Sequence, residues 1–274
     1  MTGTPPNAPV ALTIAGSDCS SGAGLQADLK TFSHFKVYGL TAVTCVVAEI
    51  PGKVTRIQAV DLPVLEDQLR LLLEGFPVAA VKTGMLYSRE AVGMVAAAFA
   101  EMPLRRRPAL VVDPVMVATS GDALIHGSAV AAYQEELFPL AQLITPNMDE
   151  AAVLLGSEIR TVDDLRTGAE ALHERFGCAV LLKGGHLKGG AAVDVLRDAD
   201  GFAEYTAERV PGVSTHGTGC TFSAAITSHL ALGRSLRQSV AAGKKYITRA
   251  IGQSFRWKQG RHRVDALNHF ALKR

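Results

Sequence analysis

A chain of 274 residues that is 48% hydrophobic can bury a large core, and it holds no low-complexity tract or long linker, which sets aside disordered and fibrous classes and suits one α/β domain. A formal net charge of +2, with short basic runs only at 105–107 and 258–263, argues against the broad basic face of a nucleic-acid binder. The four cysteines (Cys19, Cys45, Cys178, Cys220) lack metal-ligand spacing and read as reduced thiols, the opening MTGTPPNAPV lacks the basic and apolar regions of an export signal, and no apolar run approaches a membrane span, so a cytoplasmic protein without nucleic-acid or membrane partners is expected.

In chain order, VALTIAG (10–16) predicts a strand and 24–35 a helix; TAVTCVVAEI (41–50) predicts the next strand and 63–76 a helix. VAAVKTGM (78–85) and ALVVDPV (109–115) are strands separated by a helix over 88–102, and AQLITPN (141–147) follows a helix over 127–138. Helices over 148–155 and 161–176 lead to the strand AVLLKGG (179–185). Continuous hydrophobicity in most of these strands fits coverage on both faces, and the β-α-β order predicts a parallel sheet between helical layers. VDVLRD (193–198) and AEYTAERV (203–210), split by Asp198, Asp200 and Gly201, predict a hairpin at the sheet edge. Helices over 218–232 and 236–254 end the core at about 255, and a basic tail follows.

The stretch VSTHGTGCTFSAAI (213–226) sets Gly217, Thr218, Gly219 and Cys220 against the start of a helix, where unpartnered amides and the positive end of the helix dipole can hold an anion; a ligand-free capped turn is the alternative. Ligands of open parallel sheets bind beyond the C-terminal strand ends. Those ends carry Gly16, Ser17 and Asp18, then Glu49, Lys82 to Met85, Asp113, Asn147 with Glu150, and Lys183 to His186. Singly, each has a plainer reading: Asp113 before Pro114 as a turn, Asn147 as the N-cap of the helix containing Glu150, Lys183 as a surface lysine. Together, carboxylates beside an anion-binding helix start suggest Mg²⁺, with a lysine to neutralise a moving phosphoryl group. No GxxxxGK[ST] is present.

AGSDCSSGAGLQADLKTF (15–32), VKTGM (81–85), VVDPVM (111–116), LITPNMDEA (143–151), LLKGGH (181–186) and THGTGC (215–220), in this order, resemble the hydroxymethylpyrimidine and phosphomethylpyrimidine kinases of thiamine biosynthesis, members of the ribokinase-like superfamily, over about residues 10–255. The resemblance implies a three-layer α/β/α fold, ATP and Mg²⁺ as cofactors, an aminopyrimidine alcohol as substrate and a homodimer. It places Gly16, Asp28, Glu49 and Met85 around the pyrimidine, Asp113 and Glu150 at the metal, Asn147, Lys183, His216 and Lys244 by the nucleotide, and Gly217, Thr218, Gly219 and Cys220 at the anion hole. Many ribokinase-like enzymes end that motif with an aspartate base; for Cys220 two roles stay open, a thiolate base or a small residue packed beneath the hole. Cys19, Ser20 and Ser21 replace the family's usual Pro-Ser-Gly, and Ile50, Pro51 and Gly52 follow Glu49 where Asn is common, which leaves substrate range the least determined property. Pyridoxal phosphorylation on the same scaffold and a non-catalytic vitamin sensor are the alternatives.

Overall fold

A computed structural model describes residues 7–116, 127–185, 187, 190–213, 216–260 and 262–270; His186 and Thr215 of the sequence motifs lie outside them. The strands are β1 (Val10–Asp18), β2 (Tyr38–Ile50), β3 (Lys53–Ala59), β4 (Val78–Thr83), β5 (Ala109–Val112), β6 (Leu143–Ile144), β7 (Ala179–Gly184), β8 (Ala191–Asp198), β9 (Gly201–Glu208), β10 (Phe255–Gln259) and β11 (His262–Ala266). The helices are α1 (Gly24–His34), α2 (Leu62–Gly75), α3 (Arg89–Ala100), α4 (Gly127–Ala132), α5 (Met148–Leu155), α6 (Val162–Phe176), α7 (Thr218–Ala231) and α8 (Leu236–Gly252).

Nine strands form one sheet in the order β3-β2-β1-β4-β5-β6-β7-β8-β9, parallel from β2 through β7 and antiparallel at both edges. Alternate residues of the same strands enter different cores. Leu12, Ile14 and Val112 pack with Leu65 of α2, Val95 of α3 and Leu172 of α6, whereas Val111, Leu143 and Leu181 pack with Phe222 of α7 and Val240 of α8. Ala11 and Ala80 meet Phe32 of α1 and Ala224 of α7 on that second face. The expected three-layer α/β/α fold results, with its switch of strand order between β1 and β4, where such sheets open a ligand crevice.

Three segments depart from the sequence expectation. The β2 strand turns through Pro51 and Gly52 (φ +82°) into β3, an antiparallel edge strand whose mixed, exposed pattern lacks the apolar continuity of its neighbours. The helix expected over 127–138 is α-helical only to Ala132; a π-helical turn (Tyr133–Leu137) and a 3₁₀ turn (Phe138–Leu140) follow, the latter carrying Pro139, which has no amide to donate. The basic tail is the β10–β11 hairpin, with Arg256 and Arg263 both bonded to buried Asp265.

Asp28 also departs. It faces the sheet from α1, fully buried, and accepts hydrogen bonds on Oδ2 from Thr13 Oγ1 at 2.6 Å and Lys82 Nζ at 2.9 Å, Thr13 and Lys82 being register partners on β1 and β4. The residue lies beneath the site and does not line the cleft, so its expected place around the substrate is corrected; both bonds engage Oδ2, and burial raises this carboxyl against the Lys82 charge. Burial opposes the Lys82 charge, but the adjacent carboxylate outweighs it and holds the ammonium protonated. Lys82→Met should cost about 3–5 kcal/mol in urea unfolding by leaving the Asp28 charge unpaired, and adding Asp28→Leu should recover most of that loss.

Candidate active site

A cleft of about 720 Å³ opens over the C-terminal ends of the parallel strands, lined by Gly16, Glu49, Met85, Asp113, Asn147, Glu150, Lys183, His216, Lys244 and the start of α7 from Gly217 to Cys220. All the residues assigned a site role by the resemblance except Asp28 thus line one cavity, whereas Lys82 at the end of β4 lies buried beneath it. Gly217 is the N-cap of α7 with φ +79°, and a Cβ there would collide with the Gly22 carbonyl. Glycine is needed here for both reasons, because the loop before α7 lies directly on the loop after β1.

That second loop is organised by Asp18. Its carboxylate accepts from the amides of Ser20 (2.7 Å), Gly22 (3.1 Å) and Ala23 (2.8 Å) and from Ser20 Oγ (3.0 Å), and it meets His216 Nε2 at 3.2 Å. Burial alone would raise this carboxyl, but the bonds from His216, Ser20 and Ala23 bring it down to about 2. Sequence reading set Asp18 among the polar strand ends without a role of its own, although the run Asp18-Cys19-Ser20-Ser21-Gly22 carries turn-forming residues. His216, expected by the nucleotide, groups with Asp18 and Glu49, ligand atoms of the three lying within 4.8 Å of one another. Asp18 already receives so many donors that this trio is an organised loop contact more than a vacant cation site. Glu49 is half-buried at the end of β2; burial and Asp18 push its carboxyl up, against His216. Met85 completes this end as an apolar wall: its Cε lies 3.2 Å, and Cys45 Sγ 2.8 Å, from where a Cβ on Gly16 would stand.

At the other end, Asp113 follows β5 and is buried. Its Oδ1 accepts from Lys183 Nζ at 2.8 Å and Thr145 Oγ1 at 3.0 Å, and its Oδ2 from Ser223 Oγ of α7 at 3.2 Å. Burial would raise this carboxyl, but Lys183, Lys82 and Thr145 hold it below the usual range. Lys183 borders the helix start, 3.2 Å from where a Cβ on Gly219 would be. Asn147 does what the plainer reading proposed and caps α5: its Oδ1 accepts from the Glu150 amide at 2.9 Å while Glu150 Oε2 accepts from the Asn147 amide at 2.8 Å. Burial and neighbouring Asp113 drive the Glu150 carboxyl up to about 8 despite Lys183. Lys244 of α8 is committed to Asp194 Oδ2 at 2.7 Å and the Ala192 carbonyl at 3.0 Å, so Asp194, absent from the sequence prediction, fixes its ammonium on the cleft wall. A helix start was expected to depress the Cys220 thiol; instead burial, opposed by Lys82, pushes it up to about 11.

A nine-stranded α/β/α sheet whose cleft sets the start of α7 against a lysine–aspartate pair marks a phosphotransferase of the ribokinase-like class. Residues 18–265 match the phosphomethylpyrimidine kinase family, and the chain belongs to that family. It is 45% identical over 88% of its length to a bifunctional thiamine-biosynthesis protein of Geobacter sulfurreducens, about half of which (48%) it spans, and 43% identical over 95% to the hydroxymethylpyrimidine/phosphomethylpyrimidine kinase of Rhizobium meliloti, of which it covers 97%. Among solved structures, the ADP complex of Bacillus subtilis pyridoxal kinase superposes with a TM-score of 0.86 at 39% identity, covering 96% of this chain and 98% of that one. The chain is a kinase, and no helix among the described residues is long and apolar enough to cross a membrane.

Two outcomes test the electrostatics. The folded protein holds the Glu150 proton more tightly than the unfolded chain, whose carboxyl titrates near 4.5. Stability should therefore fall as pH rises from about 5 to about 8, by at most about 1.4 kcal/mol per unit, relative to Glu150→Gln, in chelator-treated protein followed by thermal unfolding. Iodoacetamide at pH 8 should alkylate exposed Cys19 at least about tenfold faster than Cys220, read by peptide mass spectrometry; equal rates would restore the low-pKa thiol.

Proposed function

We propose that this kinase moves the γ-phosphoryl group of ATP to the hydroxymethyl oxygen of 4-amino-5-hydroxymethyl-2-methylpyrimidine and then to the resulting monophosphate. The observation that carries the reading is the convergence, in one cleft, of Glu49 and Met85 at one end with Lys183, Asp113 and the α7 start at the other. The Met85 wall accepts the flat ring, and Glu49 accepts a hydrogen bond from the exocyclic amine. Backbone amides of the α7 start receive charge that develops on the phosphoryl oxygens, in a site where burial strengthens them. Lys183, oriented by Asp113, neutralises the phosphates from the other side. The Cys220 thiol reaches its thiolate only against its own burial, so position and charge carry the transfer, as a loose phosphoryl transition state permits.

The residues fit a divalent cation at Glu150, whose carboxyl is buried beside that of Asp113, and fit it less at Asp113, whose oxygens are engaged by Lys183, Thr145 and Ser223. Mg²⁺ bound there would supply neutralisation of phosphate charge and hold Glu150 ionised. We also infer a homodimer, supported by the exposed apolar side chains of Tyr38, Val46 and Ile50 on β2.

Pyridoxal is the second reading, favoured by the close likeness to a pyridoxal kinase. Glu49 separates the two. Pyridoxal presents a phenolic oxygen, often ionised, where the pyrimidine presents an amine, and a site built to accept from a donor rejects a ligand lacking it far more strongly than an apolar pocket rejects a missing methylene. The kcat/KM for the aminopyrimidine should exceed that for pyridoxal by at least about tenfold, and Glu49→Gln should narrow the ratio because an amide donates as well as accepts. A higher kcat/KM for pyridoxal in the unaltered enzyme would reverse the assignment.

A further inference from the structure

The segment after α8 takes no part in the chemistry above, yet it reaches the cleft walls at two places. On the β10–β11 hairpin, Arg256 Nη2 donates to the Gly212 carbonyl at 2.8 Å, and Arg263 donates to the same carbonyl. Both guanidinium groups are themselves bound by Asp265, at 2.8 Å from Arg256 Nε to Oδ1 and 2.8 Å from Arg263 Nη2 to Oδ2. Gly212 belongs to the turn whose Val210 and Pro211 line the apolar part of the cleft with Ile247 and Ile251 of α8. A flat heteroaromatic base of a nucleotide suits such a slot.

Beyond the hairpin the chain turns back along the helices. The Asn268 amide donates to the Ala250 carbonyl at 3.2 Å, and Leu267 is buried in the core between α7 and α8. His269 Nε2 then lies 2.9 Å from Thr221 Oγ1, both groups buried. Thr221 follows Cys220 in the first turn of α7, so this bond lies one residue from the anion-binding amides. Lys30 and His34 of α1 also face His269, and burial with the Lys30 charge keeps its ring neutral by lowering its pKa to about 4.

We propose that residues 255–270 brace the active site from two sides: His269 positions the first turn of α7 through Thr221, and Arg256 with Arg263 hold the Gly212 turn as a wall for the nucleotide base. The inference rests on the kinase reading of the cleft. The two arms act on different quantities. The His269 arm sets the geometry of amides that act on the moving phosphoryl group and therefore kcat; the arginine arm sets a binding wall and therefore nucleotide affinity.

The test uses the full-length chain with His269→Ala, His269→Gln and the double variant Arg256→Met/Arg263→Met, comparing kcat, KM for ATP and directly measured ADP affinity. His269→Ala should lower kcat about tenfold with KM for ATP within about twofold, the scale of one lost hydrogen bond acting in the transition state. His269→Gln, which can present its amide near the Nε2 position, should recover most of that loss. The arginine double variant should weaken ADP binding and raise KM for ATP about fivefold while kcat stays within about twofold. Unchanged kcat in His269→Ala, equal losses in its Ala and Gln forms, or unaltered ADP affinity in the arginine variant would overturn the brace. If His269→Ala does not fold, near-normal kcat in His269→Gln with the arginine split supports the brace, and a Gln variant as impaired as a misfolded protein overturns it. Failure of the unaltered chain to phosphorylate the pyrimidine would instead count against the substrate assignment, and kcat would then be read with pyridoxal while ADP affinity still reports on the arginine arm.

Discussion

The carboxylate of Asp113 has to be satisfied inside the protein, and the active end of the molecule is arranged around that requirement. A buried carboxylate is costly unless charge and hydrogen bonds surround it. Its partners come from different parts of the fold: Lys183 near the end of β7 and Thr145 just after β6 donate to it, and Ser223 Oγ one turn into α7 lies 3.2 Å away, its single proton shared with the Gly219 and Cys220 carbonyls. Satisfying one charge therefore fixes the start of α7 against the ends of the central strands. Gly219 permits the close approach, since a side chain there would press on the Lys183 ammonium. Asp113 is in this sense a positioning group, which fixes the Lys183 ammonium at the cleft.

A second pair repeats the arrangement one layer deeper. Lys82 and Asp28, with Thr13, lie fully buried beneath the cleft, and both Lys82 and Lys183 act electrostatically on Cys220. Because each lysine has its own aspartate, the two pairs together add little net charge to this end of the molecule. Glu150 would add negative charge there if ionised, but a carboxyl raised to about 8 is mostly protonated near neutrality.

Most of this frame is legible in the sequence because doubly covered strands leave continuous apolar runs, and a polar residue at the end of such a run must face the crevice. Glu49, Asp113 and Lys183 were found on that ground, and Asn147 with Glu150 carries the additional spacing of a capping box. Asp28 could not be placed in this way: helix periodicity puts it on the inner face but cannot distinguish a ligand from a buried lysine 54 residues further along the chain. The grouping of His216 with Asp18 and Glu49 is not legible locally, because those neighbours come from the opposite end of the sequence. The β3 edge strand and the C-terminal hairpin are short and polar, so their pairing depends on tertiary contacts, although Pro51-Gly52 is a turn signal that local reading passes over.

The thiol of Cys220 shows why motif chemistry needs the packed environment. The field of a helix N-terminus is worth about 0.3–2 kcal/mol, no more than roughly 1.5 pKa units of depression. Burial, with the charges of Asp28 and Asp113 acting in the same direction, outweighs the favourable charge of Lys82 and pushes the thiol up to about 11. The same loss of water acts oppositely on the neighbouring amides: they carry no ionisable proton, and exclusion of water strengthens their hold on a developing phosphoryl charge. On the proposed reading, burial would therefore favour an anion-hole role for the α7 start over a base role for Cys220, which suits a transfer whose transition state demands charge stabilisation more than early removal of the alcohol proton.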